Sequence, residues 1–279
     1  MLDTSWLKLL TFFGLWAAIW LPIAGAIIKF IDWQPGQPLI PQHKLILLTS
    51  LYVLTPGIIA WKMRVESLSF ASLGLNSTGN ILKSILLGLT ISLASVITIF
   101  CLESALSLVS WRWQNFKALW SLLLPILVLS LSISFIEELI FRGYVFSTLS
   151  VDNSYWLSAT ISSAIFALLH LVWERKHTIP QIPGLWLMGM ILIAAKMVNG
   201  NSIYLAIGLH AGWIWSLTCI DSAQLITYNY RNHWITGLNQ QPLGGFAGLF
   251  CLAITGLSLW AIGNYGLLWF QAPLFTYSM

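Results

Sequence analysis

Residues 135–149 read Phe-Ile-Glu-Glu-Leu-Ile-Phe-Arg-Gly-Tyr-Val-Phe-Ser-Thr-Leu, so Glu137, Glu138 and Arg142 stand inside an otherwise apolar run. No charged residue precedes them between Ala118 and Ile136. A charge at a bilayer centre costs roughly 2.5–3.5 kcal/mol on insertion scales, so such groups require partners or a function. Helical spacing supplies one pair. Glu138 and Arg142 are four residues apart and share a face. Glu137 is turned about 100° away on a helix of 3.6 residues per turn. One reading follows, in which Glu138 and Arg142 neutralise each other and Glu137 is left for chemistry. The other is a single structural network of all three.

The surrounding composition places this stretch in a membrane. Of 279 residues, 58% are hydrophobic and 8% charged, against about 25% charged in soluble domains. The net charge of +4 is small and spread out, which does not suggest nucleic acid. Sixteen Trp suit interfacial belts or packing between helices. Cys101, Cys219 and Cys251 are isolated in apolar runs, so neither a disulfide framework nor a thiolate metal site is supported. Trp6 to Ile28 is too long for the apolar region of a signal peptide and reads as a retained span.

The expected fold is all-α: a polytopic membrane bundle of about eight transmembrane helices forming one integral membrane domain over residues 1–279. The spans run from Trp6 to Ile28, Leu45 to Trp61, between Lys83 and Glu103, about Trp120 to Leu149, Tyr155 to Val172, a sixth that runs to Val198, Ile203 to Ile220, and a last one ending near Phe270. Trp111 to Lys117 reads as interfacial, and Glu174 to Pro183 as a polar connection. Lys29, Lys44, Arg112, Lys117, Arg175, Lys176 and Arg231 fall on one side. Lys8, Lys62, Arg64, Lys83 and Lys196 fall on the other. The positive-inside rule then puts both termini outside.

Two further polar residues stand within spans, His170 on the fifth and His210 on the seventh. Glu137 and His170 each lie about 23 Å along a helix from the same turn at Asp152–Ser154, so antiparallel neighbours bring them to one depth. His210 lies only about 14 Å from its turn at Asn201, a mismatch of roughly 9 Å that tilt and unequal turn heights must absorb. A carboxylate and an imidazole beside one water form a general base and its helper. A second imidazole can donate to a developing oxyanion. The same groups suit a proton relay in a transporter, and His2Glu is also a zinc ligand set. HExxH and GxSxG are absent.

Taken together, three motifs resemble those of the CPBP intramembrane proteases, the ABI-type CAAX-protease and bacteriocin-processing family. Glu137-Glu138-x-x-x-Arg142 matches EExxxR. Phe166-Ala-Leu-Leu-His170 matches FxxxH. Gly208-Leu209-His210-Ala211-Gly212-Trp213 matches the surroundings of HxxxN or HxxxD, except that Ile214 stands where Asn or Asp is expected. The resemblance covers about Leu122 to Ile220, giving a catalytic core over residues 118–221. It implies a bacterial-type cell membrane and an endopeptidase acting on a membrane protein, peptide or lipid-modified substrate. It implies that Glu137 activates a water with help from His170, and that His210 and position 214 form an oxyanion hole. Glu138 and Arg142 would hold the site in shape, with Phe166 packed on His170. No cofactor is expected; zinc is the less favoured alternative. Ile214 cannot donate a hydrogen bond, and losing one oxyanion donor costs on the order of 100- to 1000-fold in rate. Asn199, Asn201 and Trp213 are candidate replacements; Asp221, two turns further on, is not. The rival expectation is a membrane scaffold or regulator that keeps the fold without proteolysis.

Overall fold

The computed structural model describes residues 4–34, 40–76, 80–172, 175–230 and 234–264. Among the described residues, ten helices are labelled in chain order: α1 Ser5–Phe30, α2 Pro41–Val65, α3 Ile81–Ala105, α4 Phe116–Glu138, α5 Phe146–Asp152, α6 Tyr155–Leu169, α7 Arg175–Thr178, α8 Ile182–Val198, α9 Tyr204–Ser222 and α10 Phe246–Asn264. Seven helical stretches among these residues are long and apolar enough to cross a membrane. The chain is an all-α polytopic membrane bundle.

The expected seventh span, α9, is not among those seven. Its position explains this. Every residue from Leu205 to Trp213 is buried, and α3, α4 and α8 pack around it. A helix wrapped by other helices faces no lipid, so it tolerates His, Ser, Thr and Gly without desolvation by acyl chains. Small residues bring the neighbours close. A Cβ on Gly208 would strike the Ile85 carbonyl, and one on Gly212 would strike the Ser92 hydroxyl. Gly88 of α3 meets the backbone of Leu205 and Leu209 in the same way. This is small-xxx-small packing, in which backbone approach replaces the hydrophobic effect as the source of helix association. Gly208→Leu is therefore expected to separate α3 from α9 and abolish the folded state, read as loss of the monodisperse peak on size exclusion in detergent. Added bulk at a lipid-facing position, tested with Val128→Leu on α4, leaves that peak unchanged, since Val128 is exposed.

From Phe116 to Asp152 the chain stays helical, but Leu139–Val145 forms a π-helical segment of seven residues between α4 and α5. Its i→i+5 pattern accommodates an extra residue per turn. Arg142 lies within it, while Glu137 and Glu138 close α4. Lys196 of α8 reaches across and donates from Nζ to the Arg142 carbonyl at 2.7 Å and to Ser147 Oγ at 3.0 Å. The carbonyl of a distorted helix is thus satisfied by a buried lysine side chain.

Lys62, read from the sequence as a loop charge, and Lys196, read as lying near the end of the sixth span, are each only 4% exposed. Lys62 pairs with Glu66, which also accepts from the Tyr144 hydroxyl at 2.8 Å. Two of the five basic residues assigned to that side are therefore internal fixtures, and Arg231 on the other side lies outside the described residues. At the same end of the bundle, the Ser5 backbone N–H and hydroxyl both donate to Asp152, joining α1 to α5.

Other boundaries move modestly. The segment at Trp111–Lys117 contains part of strand β1, Val109–Trp111, which pairs antiparallel with β2, Ile226–Tyr228. This short ribbon ties the ends of α3 and α9 together. The expected polar connection before Pro183 is mostly helical, with α7 and a 3-10 turn at Ile179–Gln181; Glu174 lies outside the described residues. So do residues 265–270, where the last span was expected to end.

Candidate active site

Glu137, His170, His210 and Ile214 all line one cavity of about 740 Å³ in the interior of the bundle. Its walls are otherwise largely apolar, with Trp16 and Trp20 from α1, Leu51 and Tyr52 from α2, and Ile99 and Phe100 from α3.

Glu137 is buried, and its two carboxylate oxygens differ. Oε1 accepts a hydrogen bond from the Tyr52 hydroxyl. Oε2 is buried with no hydrogen-bond partner among the described residues and lies 3.6 Å from His210 Nε2. A carboxylate oxygen left without a hydrogen bond at this depth is costly.

Glu138 and Arg142 form the intrahelical pair that their spacing suggests, at 2.9 Å from Nη1 to Oε1. Both are fully buried. The same Glu138 oxygen receives His210 Nδ1 at 2.8 Å. A carboxylate only accepts, so Nδ1 carries a proton and His210 presents Nε2 to the cavity. His210 is thus aimed by a carboxylate that is itself aimed by a guanidinium. The GxxxG seam that seats α9 fixes the depth of this imidazole.

His170 occupies the end of α6, where the helix tightens to a 3-10 turn over His170–Val172. Its Nδ1 donates to the Phe166 carbonyl at 2.8 Å. The acceptor is a carbonyl, so Nε2 holds the lone pair. Phe166 joins the two imidazoles: its ring centroid is 4.6 Å from that of His170 and 5.9 Å from that of His210. The Arg142 guanidinium lies 4.4 Å from the same ring centroid, within cation–π range.

Glu137 and His210 meet despite the depth mismatch expected from their turns: Oε2 and Nε2 are 3.6 Å apart. In the turn that precedes α9, Asn199 is 6% exposed and accepts from Ser84 Oγ at 3.1 Å, whereas Asn201 is exposed. Neither Asn199 nor Asn201 lines the cavity. Trp213 does line it, but its Nε1 points to Ser95 Oγ at 3.4 Å. None of the three candidate replacements stands beside His210 with a free donor.

Tyr52 and Lys196 are partners that the sequence motifs do not announce. A Tyr hydroxyl in an apolar span needs a partner when buried, and this is the available signal for Tyr52. For Lys196, the signal is a cation two residues inside a helix end. Among the described residues, no group of three or more His, Cys, Asp or Glu is arranged to hold a metal ion.

Residues 118–216 match the family model Rce1-like, described as Type II CAAX prenyl endopeptidase Rce1-like. This agrees with the CPBP resemblance of the three motifs. The matched region runs from the start of α4 to the last turns of α9 and contains Glu137, Glu138, Arg142, Phe166, His170, His210 and Ile214. No curated protein and no solved structure matches the chain.

Proposed function

From the Rce1-like domain at residues 118–216 as premise, we propose that this protein is an intramembrane endopeptidase that hydrolyses a peptide bond of a membrane-associated or lipid-modified substrate. The observation that carries the reading is Oε2 of Glu137, without a hydrogen-bond partner among the described residues and buried at the wall of the cavity that His170 and His210 also line.

In this reading a water held by Glu137 Oε2 attacks the scissile carbonyl carbon and gives its proton to that carboxylate. Tyr52 holds Oε1 and fixes which oxygen acts. His170 Nε2 accepts from the same water and aims its lone pair. The carbonyl oxygen takes up negative charge, and His210, acting as an imidazolium whose Nδ1–H stays on Glu138, donates to it from Nε2. The C–N bond then breaks, the carbon–oxygen double bond re-forms, and the proton on Glu137 passes to the leaving amine. Glu138 and Arg142 position His210 and do not touch the substrate. No step is routed through a metal.

Ile214 narrows the oxyanion site to a single side-chain donor. That residue also favours a second reading, a membrane scaffold or regulator without proteolysis. The test is cleavage by the reconstituted protein of membrane-inserted and prenylated peptides, read as fragment masses. The Ile214→Asn variant is expected to cleave on the order of 100-fold faster, in line with one restored oxyanion donor. If neither form yields a fragment from any peptide, the protease reading fails and the scaffold reading takes its place.

A further inference from the structure

One carboxylate in the cavity has no part in the chemistry above. Glu103 sits on the last turns of α3 and is 4% exposed, and its side chain lines the same cavity as Glu137. Its Oε2 is buried with no hydrogen-bond partner among the described residues. The other buried acidic groups contrast with it. Glu66 has Lys62 and Tyr144, Glu138 has Arg142 and His210, and Glu137 has Tyr52. Tyr228 on β2 is pushed above its ordinary pKa by burial and then by the charges of Glu103 and Asp221, and no hydrogen bond to Glu103 is among the causes. A lone acid in an apolar wall is costly to leave unmet.

Its distance from the reacting groups follows from helix register. Gly208 abuts Ile85 and Gly212 abuts Ser92, so α3 and α9 run parallel and His210 is level with about residue 90 of α3. Glu103 lies about thirteen residues further along, or roughly 20 Å at 1.5 Å per residue. An extended chain covers that span in about six residues at roughly 3.3 Å each.

We propose that Glu103 is a specificity-determining residue: it receives a basic side chain of the substrate about six residues from the bond aligned with Glu137. The proposal rests on the protease reading for the identity of that bond. The cavity then selects an extended, mostly apolar segment with one cation at a fixed spacing. Tryptophans on α1 cover the apolar stretch, and the buried acid reads the charge.

The experiment uses the full chain in zwitterionic nanodiscs and fluorescein-labelled apolar peptides. Each peptide carries Lys, norleucine or Glu six residues to one side or the other of its central bond. Binding is read by anisotropy and cleavage by fragment mass in the same samples. The wild type is expected to bind one Lys peptide at least about tenfold more tightly than its norleucine twin, the effect of one charge-assisted hydrogen bond. Glu103→Gln removes the difference, and Glu103→Lys turns the preference toward the Glu peptide. Thermal unfolding checks that both variants fold; should either fail, the wild-type series still decides. Equal binding of Lys and norleucine peptides on both sides, or no binding of any peptide, overturns the proposal. So does a Lys preference that survives in Glu103→Gln. A Lys peptide that binds selectively but stays intact overturns the protease reading alone. Cleavage without charge preference overturns the role of Glu103 alone.

Discussion

Replacing Glu137 by Gln is expected to lower cleavage by a factor on the order of 10² to 10⁴, the range that a positioned general base contributes. The substitution is nearly isosteric. The amide oxygen can still accept from the Tyr52 hydroxyl that now holds Oε1, so the contact between α2 and α4 survives. What disappears is the carboxylate oxygen at the Oε2 position, which has no hydrogen-bond partner among the described residues. Single-turnover cleavage in proteoliposomes, alongside thermal unfolding of both proteins, measures the effect. A variant that cleaves at the wild-type rate would remove Glu137 from the chemistry. One that unfolds early would show that its role is to hold α2 against α4.

The second large effect concerns stability. Arg142→Met removes the guanidinium from a fully buried pair and leaves Glu138 facing only His210. Breaking one side of a buried ion pair costs about 3–5 kcal/mol, because the remaining charge has no counter-ion. Met keeps much of the volume beside Phe166, so most of the loss is electrostatic. The double variant Arg142→Met, Glu138→Gln is expected to recover a substantial part of it, since the orphaned charge is gone. Denaturant titration in mixed micelles reads both differences. Equal stability of wild type and Arg142→Met would mean that Glu138 is neutral in the folded protein.

The bundle was legible because lipid imposes a simple rule: every backbone group must be satisfied within a helix, so apolar length marks a span. That rule found α1, α2, α3, α6 and α8 with modest shifts at their ends. It judged α9 by the same measure, although α9 is surrounded by protein and answers to packing instead. The Glu138–Arg142 pair was visible because it is local, four residues on one helix. Tyr52 and Lys196 were not visible as partners of this region. Their contacts with Glu137 and with the Arg142 carbonyl link residues 85 and 54 positions apart. No periodicity within one helix encodes such a meeting. The same holds for Glu103, which looked like the polar end of a span until the structure placed it in the lining of the cavity that His210 also lines.

The wide-pitched turn between α4 and α5 makes the number of residues there count for more than their identity. Removing any one residue from 139–145 would let the helix wind at the ordinary pitch. The wide turn is what takes up that residue, so the flanking helices would keep their orientation and the change would fall inside the turn. A deletion between residues 139 and 141 would set Glu138 and Arg142 three residues apart instead of four and disturb the buried pair that aims His210, although neither had been altered. A catalogue of single substitutions across this turn would therefore understate its importance, and deletions of one residue would expose it. Whatever chemistry the cavity performs, its aim is held by a count along the chain.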